Sequence, residues 1–199
     1  MIAVLTGDIK NSTGYEVPKW MPLLKQALNR YGKEPKQWEI YRGDSFQLAV
    51  SPEKALEAAI YIKACIKQKR GMDVRMGIGL GEKEYSAEKI TESNGSAFIL
   101  SGECFENLKK QTLAVKSNSE IFDTQINLML QLASLTMDSW LPVASKVVKT
   151  AMEHPKANQK ELGVLLDKSQ SNISEALIRA GFDEVQKMMQ FYSTQLAQL

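Results

Sequence analysis

Residues 38–50 read Trp38-Glu-Ile-Tyr-Arg-Gly43-Asp44-Ser-Phe-Gln-Leu-Ala-Val50. Trp38, Ile40 and Arg42, then Phe46, Leu48 and Val50, alternate at period two around Gly43-Asp44, which predicts a β-hairpin. Upstream, Ile2 to Leu5 is a short apolar run that Thr6-Gly7-Asp8 breaks. Trp20, Leu23, Leu24, Ala27, Leu28 and Tyr31 then recur at helical spacing, and Gly32 stops the helix. Downstream, Pro52 opens a helix whose apolar stripe is Leu56, Ala59, Ile60, Ile62, Ala64, Cys65 and Ile66, ended by Gly71. Val74 to Leu80 reads as a strand, Ala97 to Leu108 as a helix and Leu113 to Val115 as an edge strand. The order is βαββαβ with one helix and one strand appended. It predicts a ferredoxin-like α/β sandwich in which the hairpin supplies two neighbouring strands and the helices cover one face.

Strand signals stop near residue 118. Helical patterns follow over about 119–138, 140–153, 158–166, 169–180 and 183–198. Residues 1–117 hold 18 basic and 14 acidic side chains, and residues 118–199 hold 7 and 9, so the sign of the charge changes at the same place. The expected class is α+β: a sheet domain over 1–117 and an all-helical domain over 118–199. The whole chain has 199 residues, a net charge of +2, 44% apolar and 24% charged residues. That composition excludes collagen-like and disordered classes. Cys65 and Cys104 fit no disulfide framework or zinc spacing, which suggests a reducing compartment. Met1 to Asp8 lacks the basic and long apolar regions of a signal peptide, and no run approaches a membrane span, so a cytoplasmic location is expected.

Two segments carry candidate chemistry: Thr6-Gly7-Asp8-Ile9, and Gly43-Asp44-Ser45-Phe46. If the first strand lies beside the hairpin, Asp8 and Asp44 converge on one sheet edge. Two carboxylates and the Ile9 carbonyl would make a hard oxygen site suited to Mg²⁺ and a triphosphate. The plain alternative is that Asp8 caps a turn and Gly43-Asp44 only turns the hairpin. Gly77-Ile78-Gly79-Leu80-Gly81 is not a dinucleotide fingerprint, because the polar stretch Glu82 to Asn94 follows where a helix should begin. Its glycines suit close approach of a neighbouring backbone or a ligand to the strand.

Asp8-Ile9, Gly43-Asp44-Ser45-Phe46 and Arg75-Met76-Gly77-Ile78-Gly79-Leu80-Gly81 occur in an order that resembles the class III nucleotide cyclase and GGDEF group of catalytic domains. With the helical tail, nearly the whole chain is most similar to the SatD family, bacterial proteins with a cyclase-like domain joined to a helix-turn-helix. The resemblance implies a small nucleotide ligand, Mg²⁺ on Asp8, Ile9 and Asp44, and a DNA partner for the tail. It also shows departures. Ile99 stands where cyclases carry an Asn, Glu103 stands near their Arg, Arg42 replaces the first Gly of the hairpin signature and Ser45 its Glu. The expectation is a degenerate domain with no catalytic residues of its own.

Residues 158–181 give the most specific local signal. Asn158 and Glu161 form a capping box, and Leu162, Leu165 and Leu166 a buried stripe. Gly163 allows close helix crossing, Asp167 takes the tight-turn position, and Ser169 caps a second helix. Ile173 and Leu177 face the core with Ile178 beside them, which leaves Gln170, Ser171, Asn172 and Ser174 outward at the end that enters a major groove in helix-turn-helix proteins. Gln and Asn suit adenine edges, and Lys168 and Arg179 suit phosphates. DNA is therefore the expected partner, through Lys168, Ser169, Gln170, Ser171, Asn172, Ser174 and Arg179. The alternative is a helical hairpin that only packs.

Phe182, Val185, Met189, Tyr192, Leu196 and Leu199 form a heptad-like stripe that suits either internal packing against Trp140, Val147 and Val148 or a homodimer seam. His154, before Pro155, reads as a helix C-terminal capping group. The leading expectation is a cytoplasmic DNA-binding regulator with a degenerate cyclase-like sensory domain. Competing readings are an active Mg²⁺-dependent nucleotidyl cyclase and a protein-interaction module without DNA binding.

Overall fold

The computed structural model of the chain describes all 199 residues. Gly7 lies inside a strand and not at its end: β1 (Ile2–Lys10) runs on through Thr6-Gly7-Asp8, where the sequence predicted a break. β1 is central, paired along its length with β3 (Ser45–Val50) and β4 (Asp73–Gly81), so its backbone groups have partners on both sides. Glycine is needed there for space. A Cβ at residue 7 would stand 2.7 Å from both the Phe46 ring and the Arg75 carbonyl. β2 (Trp38–Tyr41) and β3 form the expected hairpin, turning on Arg42 and Gly43 in positive φ.

β5 (Leu113–Lys116) completes a five-stranded mixed sheet of order β2-β3-β1-β4-β5. The first four strands are antiparallel to their neighbours, and β5 runs parallel to β4. The fold is α+β, with eight α-helices around this sheet. α1 (Met21–Asn29) and α2 (Pro52–Ile66) lie on the face that carries Ala3, Leu5, Val74, Met76, Ile78 and Leu80.

The helices do not all cover one face, as the sequence had suggested. α3 (Ser96–Glu106) lies on the opposite face, over Val4 and the glycine row of β4. The row explains how it fits. A Cβ at Gly79 would stand 2.3 Å from the Ala97 carbonyl and the Ser101 amide, so the helix backbone rests directly on the strand. The Thr6 and Ser101 hydroxyls, 2.9 Å apart, tie the two surfaces together.

The chain passes from β5 through Ser117-Asn118-Ser119 into α4 (Glu120–Met137). α4 covers the edge of β5. The Asn127 carboxamide accepts from Val115 N–H and donates to Val115 C=O, each at 2.8 Å, as a further strand would. α5 (Pro142–Glu153), α6 (Gln159–Leu166), α7 (Gln170–Ala180) and α8 (Phe182–Leu196) follow.

The largest apolar core is continuous across residue 117 and joins the sheet to Phe122, Ile126, Leu130, Trp140, Val185 and Tyr192. α2 is its centre. It is packed by the sheet on one side and by α5 and α8 on the other, so Ala58, Tyr61 and Lys63 are buried as well as its apolar stripe. The C-terminal apolar stripe is spent inside the chain from Phe182 to Leu196, and only its last member, Leu199, is exposed. Tyr192 packs on Phe122, with ring centroids 5.9 Å apart, and donates to the Pro52 carbonyl at 2.9 Å. It therefore meets α2 and α4, and is not free to form a seam between copies.

A polar cluster joins the same parts. Lys63 has no exposed surface. Its ammonium lies 2.7 Å from Asp73 and 2.7 Å from Asp138 and donates to the Thr112 hydroxyl at 3.2 Å. Lys67 adds bonds to Asp73 at 3.2 Å and to the Asp138 carbonyl at 2.8 Å. Two cations and two anions thus balance where α2, β4, β5 and the end of α4 meet. Lys67 is nonetheless pushed below its ordinary pKa, first by burial and then by the neighbouring Lys63, against the pull of Asp73.

Candidate functional site

The sheet end first. Asp8 stands opposite Ser45 in the β1–β3 ladder, and Ile9 N–H donates to the Asp44 carbonyl at 3.3 Å, so the two expected carboxylate positions are neighbours across one ladder. They do not form an open pair. Asp8 is also opposite Arg75 in the β1–β4 ladder, and the guanidinium grips its carboxylate through two nitrogens: Nε donates to Oδ1 at 3.0 Å and an Nη donates to Oδ2. Asp44 accepts from the Ser12 hydroxyl at 2.5 Å.

Arg75 also lies over the Phe105 ring, 5.4 Å from its centroid. Its pKa is raised, chiefly by the hydrogen bond to Asp8 and, against burial, by the charges of Asp8 and Asp44. No group of three or more His, Cys, Asp and Glu side chains is arranged to hold a metal. The donors as they stand do not fit a divalent cation, since both oxygens of Asp8 are engaged by a cation already.

Sequence reasoning missed Arg75 as the partner of Asp8. The signal was its two-residue offset from the glycine row, which places its side chain on the α3 face with Asp8. Only the β1–β4 register sets residue 75 against residue 8. Ile99 is exposed on α3, and Glu103 forms an ion pair with Lys116 of β5 at 2.5 Å. Neither thiol is a candidate nucleophile. Cys65 and Cys104 are buried, and burial pushes each thiol up to about 12.

The second region is α6–α7. The Asn158 side chain accepts from the amides of Lys160 and Glu161, each at 3.0 Å, while Glu161 accepts from Asn158 N–H at 2.8 Å, completing the expected capping box. Asp167 adopts the left-handed conformation, φ 51° and ψ 53°, and ends α6. A Cβ at Gly163 would meet the Lys168 carbonyl at 2.6 Å, so this glycine makes room for the turn itself. Ser169 accepts from Asn172 N–H at 3.2 Å and starts α7.

Ile173 and Ala176 are bedded against Leu162 and against Val147 of α5. Gln170, Ser171 and Asn172 are exposed, whereas Ser174 and Lys168 are half-buried. Two expectations fail. Leu165 is 53% exposed and lies off the buried stripe of α6, which is Leu162 with half-buried Leu166. Ile178 is 75% exposed, because the covered row of α7 is 173, 176, 177 and 180, and 178 points away from that row. Arg179 lies 3.6 Å from Glu175, one turn back, so its charge is shared. Residues 158–181 carry three cations and three anions. His154 ends α5 as expected.

Comparison with protein-family models and with curated proteins finds no match to this chain.

Proposed function

We propose that this chain is a DNA-binding regulator in which a ferredoxin-like, nucleotide-cyclase-like half without cyclase chemistry is joined to a helix-turn-helix, the arrangement of the SatD family. The observation that carries the reading is the turn from α6 to α7. A left-handed Asp167 and a Ser169 cap aim the first turn of α7 outward, with Gln170, Ser171 and Asn172 exposed, while Ile173 behind them is fully buried. A rigid helix end with free amide and hydroxyl side chains suits base edges in a major groove.

Lys168 at the turn and Lys160 at the start of α6 supply the nearest cations for phosphates. With so few of them, binding depends only weakly on salt, with a slope near two. At the sheet end, a nucleotide or Mg²⁺ reaching Asp8 and Asp44 has to displace Arg75. That pair is thus the place where a ligand would be read and not a prepared catalytic centre.

The test is fluorescence anisotropy with a DNA site selected from a random pool. Asn172→Ala is expected to weaken the selected site by ~1–3 kcal/mol, the worth of a good base contact. Lys168→Ala is expected to weaken all sequences alike and to lower the salt slope by about one. Failure of the parent to bind any DNA at low salt overturns the reading in favour of a protein-interaction module.

A further inference from the structure

α4 carries two apolar faces, and the chain covers one of them. Phe122, Ile126, Leu130 and Met137 are in the core. On the other side Ile121, Thr124, Gln125, Leu128, Gln131, Leu132 and Leu135 are all exposed. The four large apolar members are 75, 57, 61 and 77% exposed in chain order. Residues 121, 125, 128, 132 and 135 step by four and three alternately, the spacing of a seam between two helices. The other exposed aliphatic groups of the helical half belong to other elements: Leu141 and Val143 at the start of α5, Val164 and Leu165 on α6, Ile178 on α7 and Leu199 after α8.

We infer that this face of α4 pairs with the same face of a second copy, antiparallel, about a two-fold axis through Leu128. Three observations select that occupant. The face has no charge on it, and no charged residue occurs between Asp123 and Asp138, so self-pairing sets no like charges together. The two ends of the row are symmetric about its centre, because Ile121 and Leu135 each lie seven residues from Leu128, and Leu132 then falls opposite the partner copy's equivalent of exposed Thr124. An antiparallel partner therefore brings Leu128 onto Leu128 and Ile121 onto Leu135, as an isologous interface requires.

The ends complement each other as well. Lys110 lines the same shallow hollow as Leu135, and Glu120 lies beside Ile121 at the far end; neither belongs to an ion pair within the chain. Antiparallel pairing carries each Glu120 toward the partner copy's equivalent of Lys110. A parallel pair would instead place the two acidic first turns together.

Area sets the strength. An 18-residue helix is ~27 Å long and ~10 Å across. One face is thus a patch of a few hundred Å², against ~800 Å² per partner in a standard interface. The flanking surfaces at Lys110–Gln111 and Asp138–Ser139 add to it, and an area at the low end of the interface range goes with a weak, concentration-dependent dimer. The inference stands on α4 and does not need the DNA reading; where both hold, the pair presents two copies of α7.

Sedimentation equilibrium of the full chain without DNA, from about 1 to 200 μM, tests it. The parent is expected to pass from monomer to dimer across that range, and a monomer at 200 μM overturns the inference. Leu128→Glu sets two carboxylates against each other on the axis and is expected to weaken the dimer at least tenfold while the circular dichroism stays unchanged, since the residue is exposed. An undiminished dimer overturns the assignment to α4. Under mild oxidation Leu128→Cys is expected to cross-link to itself, whereas Ile121→Cys does not. Cross-linking of Ile121→Cys to itself overturns the antiparallel arrangement.

Discussion

Replacing Lys63 by Met removes one charge from a cluster that is neutral as it stands. Asp73 and Asp138 then face only Lys67, and the Thr112 hydroxyl loses a donor. The change keeps the unbranched apolar stem and ends one atom short of the ammonium position, so packing is nearly conserved and what is lost is the ammonium at 2.7 Å from each carboxylate. Leaving a buried ion without its partner costs ~3–5 kcal/mol. Two features place the cost near the lower end. Lys67 still touches Asp73, and the Asp138 side chain is 37% exposed and can take water. In a chain of this size ~3 kcal/mol lowers the melting temperature by ~6–12 °C.

The pH dependence has a definite sign. Burial would raise the pKa of Asp138, but the Lys63 charge and hydrogen bond, with the Thr112 hydroxyl, outweigh it and hold the folded pKa below the ordinary value. A depressed acid contributes stability that is present above its unfolded pKa and fades as pH falls through the folded one. The gap between parent and Lys63→Met is therefore expected to be full at pH 7 and to narrow below about pH 4. Calorimetry at pH 7 and at pH 3.5 measures both. A loss under 2 °C at pH 7, or a gap that widens in acid, refutes the account of Lys63 as the counter-ion of Asp138.

Gly79→Ala pushes a methyl to 2.3 Å from the α3 backbone and is expected to cost ~3 kcal/mol or more, read as a lower urea midpoint; Gly102→Ala, with open space around it, is expected to cost nothing on that ground. Asp167→Gly relieves a left-handed residue that is not glycine, and is expected to leave stability unchanged or raise it by up to ~1 kcal/mol. Incubation with ATP or GTP and Mn²⁺ is expected to yield no cyclic nucleotide, because loss of one charge-stabilising donor alone costs ~10²–10³ in rate and Asp8 is held by Arg75. Appreciable turnover would restore the cyclase reading.

The elements were legible where local pattern decides them. Period two around Gly43-Asp44 placed the hairpin, and Asn158, Glu161 and Ser169 placed both helices of the α6–α7 pair, because caps are local hydrogen bonds. Faces and partners were less legible. A strand containing Thr6-Gly7-Asp8 looks broken until two neighbours supply its hydrogen bonds and Phe46 fills the space over Gly7. Leu165 and Ile178 looked like core because apolar residues at helical spacing do not say how wide the covered stripe is. At the sheet end, both aspartates were visible as candidates, and the residue that decides their chemistry was not. Arg75 becomes the partner of Asp8 only through pairing between strands 67 residues apart.

The same limit explains why a boundary near residue 117 reads well in sequence and yet does not separate two cores. Composition changes there because strands give way to helices, which is a change of local structure. Independence would require the helices to bury their apolar faces among themselves, and α8 does not: Tyr192 reaches Pro52, and Val185 and Leu196 join the core built on α2. The α4–α5 turn is fastened from both sides. Asp138 is held by Lys63, and Trp140, two residues on, donates its indole N–H to the Ala180 carbonyl at the end of α7 at 2.9 Å. A displacement of α7 relative to the sheet must break that indole bond or drag the turn against the charged cluster. α7 is therefore set on a base whose stiffness comes from the sheet half, and loss of the Lys63 cluster is expected to loosen that base before it alters α7 itself.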